Sequence, residues 1–173
     1  MWWNPVNETS LEQGDLLLGC WVPVLPSDFT PPEGEAEATI DIHVEEADLI
    51  ILTQSCDLLN NPTPWVVTAP VFTVESFEQQ NPNFAKKGYW EQVRKGRVEG
   101  VLLLRSHTDA DDPRASLVVS FREVYTLPFD YLTRRAEEIG ERLRLRSPYV
   151  EYLAQGFARF FMRVALPADI SKF

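Results

Sequence analysis

The sequence predicts an α+β fold, mainly antiparallel, built as a single domain over residues 1–173. Three observations predict it. Short apolar runs separated by Gly, Pro, Asn and Asp turns fill the first 127 residues, and helical periodicity is concentrated after them. A chain of 173 residues buries about two thirds of its unfolded surface, so it folds without a disulfide or a metal. No run approaches the roughly 18 apolar residues of a membrane span, and the leading Met1-Trp2-Trp3-Asn4-Pro5 lacks a basic region, so a soluble, cytoplasmic protein without a membrane partner is expected.

Residues 1–13 lead into the domain, with Trp2 and Trp3 available to cover one end of the core. Glu12-Gln13-Gly14-Asp15 reads as a turn, and residues 16–24 as the first strand, closed by Pro23 and Pro26. Residues 25–39 are proline-rich and acidic and form the expected mobile loop. Residues 40–44 alternate Ile-Asp-Ile-His-Val, which predicts a half-buried strand with Asp41 and His43 toward solvent. Residues 49–53 are the central buried strand, Asn60-Asn61-Pro62 a turn, and residues 65–74 another strand with a bend or sheet edge at Pro70. A short helix is expected over 89–94, then strands over 98–104, 117–121 and 123–127, with a polar loop over 107–114. Residues 128–173 are read as a helical C-terminal part. One helix covers 129–145; Ser147 and Pro148 open a second, as N-cap and first helical residue. On that second helix Val150, Leu153, Ala154, Phe157, Phe161 and Val164 share one face. Tyr149, Tyr152, Gly156 and Phe160 form an aromatic face suited to the core or to a second subunit.

Charge is unevenly placed. Residues 1–85 hold fourteen Asp and Glu and no Lys or Arg; residues 86–173 hold all sixteen Lys and Arg against twelve acids. Either the two halves face and compensate each other, or a basic surface meets an acidic protein or a nucleic acid. The net charge of -10 argues against general nucleic-acid affinity.

The chain is organised around residues 47–60, where an apolar run changes abruptly into Thr53, Gln54, Ser55, Cys56 and Asp57. Cys56 reads as a candidate nucleophile, with Asp57 orienting a base (His43 or His107) and Thr53 completing the site. The same residues also read as a small buried thiol and a turn cap, and no cation nearby in sequence activates the thiol. Cys20 and Cys56 are expected to be reduced and mostly buried. The two histidines and two cysteines do not stand at zinc-ligand spacing, and no phosphate-binding glycine motif occurs, so no metal or cofactor is expected. Lys86, Lys87, Tyr89, Trp90, Arg94 and Arg97 interleave basic and aromatic residues, which suits an acidic protein surface or single-stranded nucleic acid.

The turn Gln13-Gly14-Asp15, the long loop and the run Asp48-Leu49-Ile50-Ile51-Leu52-Thr53 resemble the start of the PemK/MazF-like β-barrels, RNA-cleaving toxins, over residues 13–74. The resemblance implies an SH3-like, partly open barrel, closed here by one or two C-terminal helices, with Thr53 at the strand-end position. Those toxins place an arginine before the second apolar strand, whereas this chain has Glu45-Glu46-Ala47-Asp48, so the barrel is carried over and the nuclease chemistry is not. Thr53–Leu58 together with residues 142–164 also resembles a family of uncharacterised bacterial proteins. The resulting expectation is a non-catalytic binding or adaptor module of a bacterial system. The alternatives are an endoribonuclease that borrows an arginine (Arg94, Arg97 or Arg122), and a homodimeric subunit joined through Tyr149, Tyr152 and Phe160.

Overall fold

The computed structural model describes residues 2–30, 34, 41–59, 63–108 and 112–162. The expected acidic loop over 25–39 lies mostly outside them, as do the turn at 60–62 and Arg163, Val164 and Pro167. The elements run β1 (Trp3–Val6), β2 (Asp15–Val24), β3 (His43–Ile51), α1 (Ser55–Leu59), β4 (Trp65–Thr73), α2 (Val74–Gln80), α3 (Tyr89–Arg94), β5 (Val101–Leu104), β6 (Leu117–Ser120), β7 (Tyr125–Pro128), α4 (Phe129–Ile139), β8 (Arg142–Leu145) and α5 (Tyr149–Phe161).

The strands form one open, eight-stranded sheet in the order β1-β8-β2-β3-β4-β6-β5, with β7 also paired to β4. The recorded pairings are antiparallel. Side chains alternate across it with period two, so neighbouring residues serve opposite faces. Leu16, Ile50, Leu102 and Val119 pack on one face with Leu153 of α5, while Leu17, Leu49 and Ile51 pack on the other with Leu132 and Ala136 of α4. Val101 and Val118 belong to a third cluster, roofed by Phe77, Phe84 and Val93 from α2, the 3-10 turn Pro82–Ala85 and α3. Among the described residues, no helix is long and apolar enough to cross a membrane.

Several sequence expectations are corrected by pairing. The C-terminal part is not wholly helical. Gly140, at φ +72°, ends α4, and the Arg-Leu-Arg-Leu alternation of β8 inserts between β1 and β2. The first residues are likewise a strand, because β1 pairs with β8. Pro70 marks neither a bend nor an edge. β4 pairs with β7 through Thr68 and with β6 from Val71, so the proline, which has no N–H to donate, occupies the gap between those two partners. The stretches read as separate strands at 40–44 and 49–53 form one strand, β3, paired along β2. Ile42 and Val44, expected on a buried face, are exposed.

One polar cluster is fully enclosed. The Asp15 and Arg142 side chains are both 0% exposed and bridge at 2.9 Å. Arg144 also pairs with Asp15 and with Glu12, and Arg142 donates to the Glu8 carbonyl while both guanidiniums donate to that of Ser10. A segment without regular structure is thereby strapped to β8. Gly14 precedes the aspartate at φ +85°, and an added Cβ there would stand 2.9 Å from Leu145 Cβ. The cluster joins acids of the first half to arginines of the second, as does the 2.7 Å bridge between Glu78 and Arg114. Compensation between the halves therefore operates within the molecule.

Candidate functional site

The Thr53–Asp57 turn is held by its own polar groups. Thr53 Oγ1 accepts from Val67 N at 2.8 Å, and Ser55 Oγ accepts from Gln13 N at 3.1 Å. The Gln13 side chain in turn donates to the Leu52 carbonyl at 2.7 Å. The two hydroxyls thus close the end of β3 onto β4 and onto the turn before β2. Cys56 is exposed on α1, contrary to the expected burial, and its thiol points to Gln54 Oε1 at 3.7 Å and Asp57 Oδ1 at 3.5 Å. His43 is paired with Glu45 at 3.4 Å on the hairpin arm. Cys20 is buried, and that burial pushes its thiol up to about 11. A thiol-reactive dye is expected to label one cysteine of the native protein quickly. Mass spectrometry should place it at Cys56, and Cys56→Ala should change stability by less than about 0.5 kcal/mol.

The expected partner-binding set divides. Tyr89 packs on Phe84 at a 4.6 Å centroid distance, and Trp90 on Phe84 at 5.2 Å and Phe77 at 6.0 Å, so both rings are engaged in the third core cluster. Lys86 bonds the Asn83 side chain, Arg97 bonds Gln92, and Lys87 is exposed. Only Trp90 and Arg94 of that set reach a cavity described below.

That cavity is a groove of about 660 Å3. Its lining combines Trp2, Trp90 and Tyr152 with Arg94, Arg105 and Arg114, over Val74, Leu103 and Leu104. Trp2 is fixed by stacking on Tyr149 of α5 at 4.0 Å with planes 9° apart, and by an edge contact with Tyr152 at 6.3 Å. Beside it, the Trp3 indole donates to the Arg105 carbonyl at 2.7 Å and ties the start of β1 to the end of β5. On the far wall Glu78 is shared. Trp90 Nε1 donates to it at 2.7 Å, and Arg114 makes a two-pronged contact at 2.7 and 2.8 Å. Arg94 is gripped in the same manner by Glu91, both contacts at 2.7 Å.

No protein-family model matches the chain, and no curated protein matches it. The groove is therefore read from its own chemistry.

Hydrogen bonds from Arg114 and then Trp90 hold the Glu78 carboxyl down at about 2, against an ordinary 4.5. Arg94 and then Lys95 hold Glu91 at about 2. Since the folded-state values are depressed, the stabilisation these pairs supply is present above about pH 4.5 and is lost as pH falls through about 2. The arginines and Trp90 are expected to stay in place at neutral pH and to loosen over that acid window. Tryptophan fluorescence from pH 5 to 2 checks this, because Glu78→Gln should already show part of the low-pH signal at neutral pH.

Sequence reasoning reached Trp90 and Arg94 through their basic-aromatic interleaving, singled out Trp2 and Tyr152 without joining them to this groove, and missed Arg105 and Arg114. These come from separate parts of the chain and carry no shared local pattern. Among the described residues, no group of three His, Cys, Asp or Glu side chains is placed to hold a metal ion. Thr53, Cys56 and Asp57 do not line this groove.

Proposed function

We propose that this protein is a non-catalytic binding module, an adaptor of a bacterial cytoplasmic system, that seats a segment of a polypeptide partner in the groove beside Trp90. The composition of the groove carries the reading: two tryptophans, one tyrosine and three arginines stand with Leu103 and Leu104, beside Glu91 and Asp112. Trp, Tyr and Arg dominate the energetics of protein contacts because each joins a wide apolar surface to a directional polar group. The segment expected is one that brings apolar side chains to Leu103 and Leu104 and to the rings of Trp2 and Tyr152.

Two features favour a polypeptide over a nucleic acid. Arg94 and Arg114 are each neutralised by a carboxylate, while phosphate binding draws on uncompensated cations. The Tyr89 and Trp90 rings are packed against phenylalanines, while base stacking uses open ring faces. The open sheet is read here as a partly open barrel of SH3-like type, which the Trp3–Arg105 link between its two border strands supports.

The test selects peptides from a random displayed library on the full chain, then titrates the selected peptide and a 15-nucleotide single-stranded RNA in parallel. Peptide affinity falling by at least about tenfold in Arg94→Ala or Arg114→Ala, as for truncation of an interface anchor, supports the reading. Salt-sensitive RNA binding that those variants abolish overturns it. So does RNA cleavage that is lost in both Cys56→Ala and Asp57→Ala with folding intact.

A further inference from the structure

The β2–β3 hairpin arm has two edges, and among the described residues only one of them is closed. On the β2 side, the Tyr131 hydroxyl of α4 accepts from Trp21 N at 2.7 Å and donates to Trp21 O at 3.1 Å. Arg135 of α4 covers the Leu18 carbonyl with contacts at 3.0 and 2.8 Å. On the β3 side, pairing with β2 extends from His43 to Ile50, but pairing with β4 covers only Asp48 to Ile51. Among the described residues, no strand is paired to the outer edge of residues 43–47. Backbone donors and acceptors of such an edge are a template for another strand.

This edge looks into a cleft of about 460 Å3 whose lining includes Glu45, Glu46, Asp48 and Glu123 and has no Lys or Arg. Its walls are apolar at Val71 and Phe72. Next to it Ile42 and Val44, each 44% exposed, carry the alternation of a strand face that the described residues leave open.

We propose that the outer edge of β3 takes an added strand from a basic polypeptide segment, one with Lys or Arg alternating with β-branched residues. Main-chain hydrogen bonds to residues 43–47 supply the pairing, and the lysines, all on one face of the added strand, supply the selection by lying over Glu45 and Glu123. The acids act against a second copy in the same place. Two arms paired edge to edge would bring Glu45 and Glu46 of one copy beside those of the other.

The probe is the peptide Lys-Val-Lys-Val-Lys-Val-Lys, with the same peptide N-methylated at alternate residues and a glutamate-for-lysine version as comparisons. Amide hydrogen exchange on the full chain should show protection gained at residues 43–47 with the lysine peptide. N-methylation, which removes main-chain donors, should abolish it. Glu45→Lys with Glu46→Lys should weaken the lysine peptide by at least about tenfold and turn preference to the glutamate peptide. The neutral pair Glu45→Gln with Glu46→Gln should fall between, which separates charge selection from a folding defect. Equal binding of the N-methylated peptide, or protection gained only elsewhere, would overturn the proposal. Protection of residues 43–47 that rises with protein concentration in the absence of peptide would overturn it as well, in favour of a second copy.

Discussion

Asp15→Ala is expected to cost about 3–5 kcal/mol of folding stability, the range for removing one partner of a buried ion pair. Asp15 and Arg142 are wholly enclosed, so alanine would leave a guanidinium without a counter-charge and without water. Arg144 would lose the same carboxylate, and the strap across residues 8–12 would keep only carbonyl contacts and the Glu8 and Glu12 bridges. Urea unfolding followed by circular dichroism measures the loss. Asp15→Asn retains the shape and one acceptor and should fall between wild type and alanine. Glu12→Ala, at the rim of the same cluster, should cost under about 1 kcal/mol because its side chain is partly solvated. Equal losses for Asp15 and Glu12 would mean that the buried pair is not what anchors this end of the sheet.

Trp3→Ala is expected to cost about 3–5 kcal/mol, the range for emptying a buried tryptophan site. Trp3 is 1% exposed and packs in the cluster that α5 covers. Its effect should also be directional. The indole link to Arg105 is the recorded side-chain bond between the strands at the two borders of the sheet. Trp3→Phe keeps most of the apolar volume and removes that donor, so about 1 kcal/mol of loss is expected from the hydrogen bond. Hydrogen exchange should then show faster opening at β1 and β5 than at β3, which has a paired strand on each side at its inner end. Uniform acceleration across all strands would show that the link contributes only bulk.

The charge map of the sequence carried part of this. With no basic residue before Lys86, an acid buried in the first half had to find its cation in the second, and Asp15 finds Arg142 and Arg144. The sequence also located the short helix α3 at its observed bounds and the apolar runs of β2 and β4 closely. It did not show β8, because two Arg-Leu repeats next to a charged helix satisfy helical and strand periods almost equally well over four residues. It placed Ile42 and Val44 on a buried face, since alternation records that a side is apolar and not whether anything lies against it.

The Thr53–Asp57 turn shows where the two sources of information divide. The sequence alone determined that a buried strand ends there in polar side chains, because the change from Leu52 to Thr53 is local. Only the tertiary structure decided that Thr53 and Ser55 are engaged there, since their partners Val67, on β4, and Gln13, in the turn before β2, are brought close by pairing. The same holds for the groove. Trp2, Trp90, Arg94, Arg105, Arg114 and Tyr152 become one surface through strand order and helix placement. Local composition sets which residues can be buried or charged. Which of them meet is set by long-range pairing, whose register depends on the whole core at once.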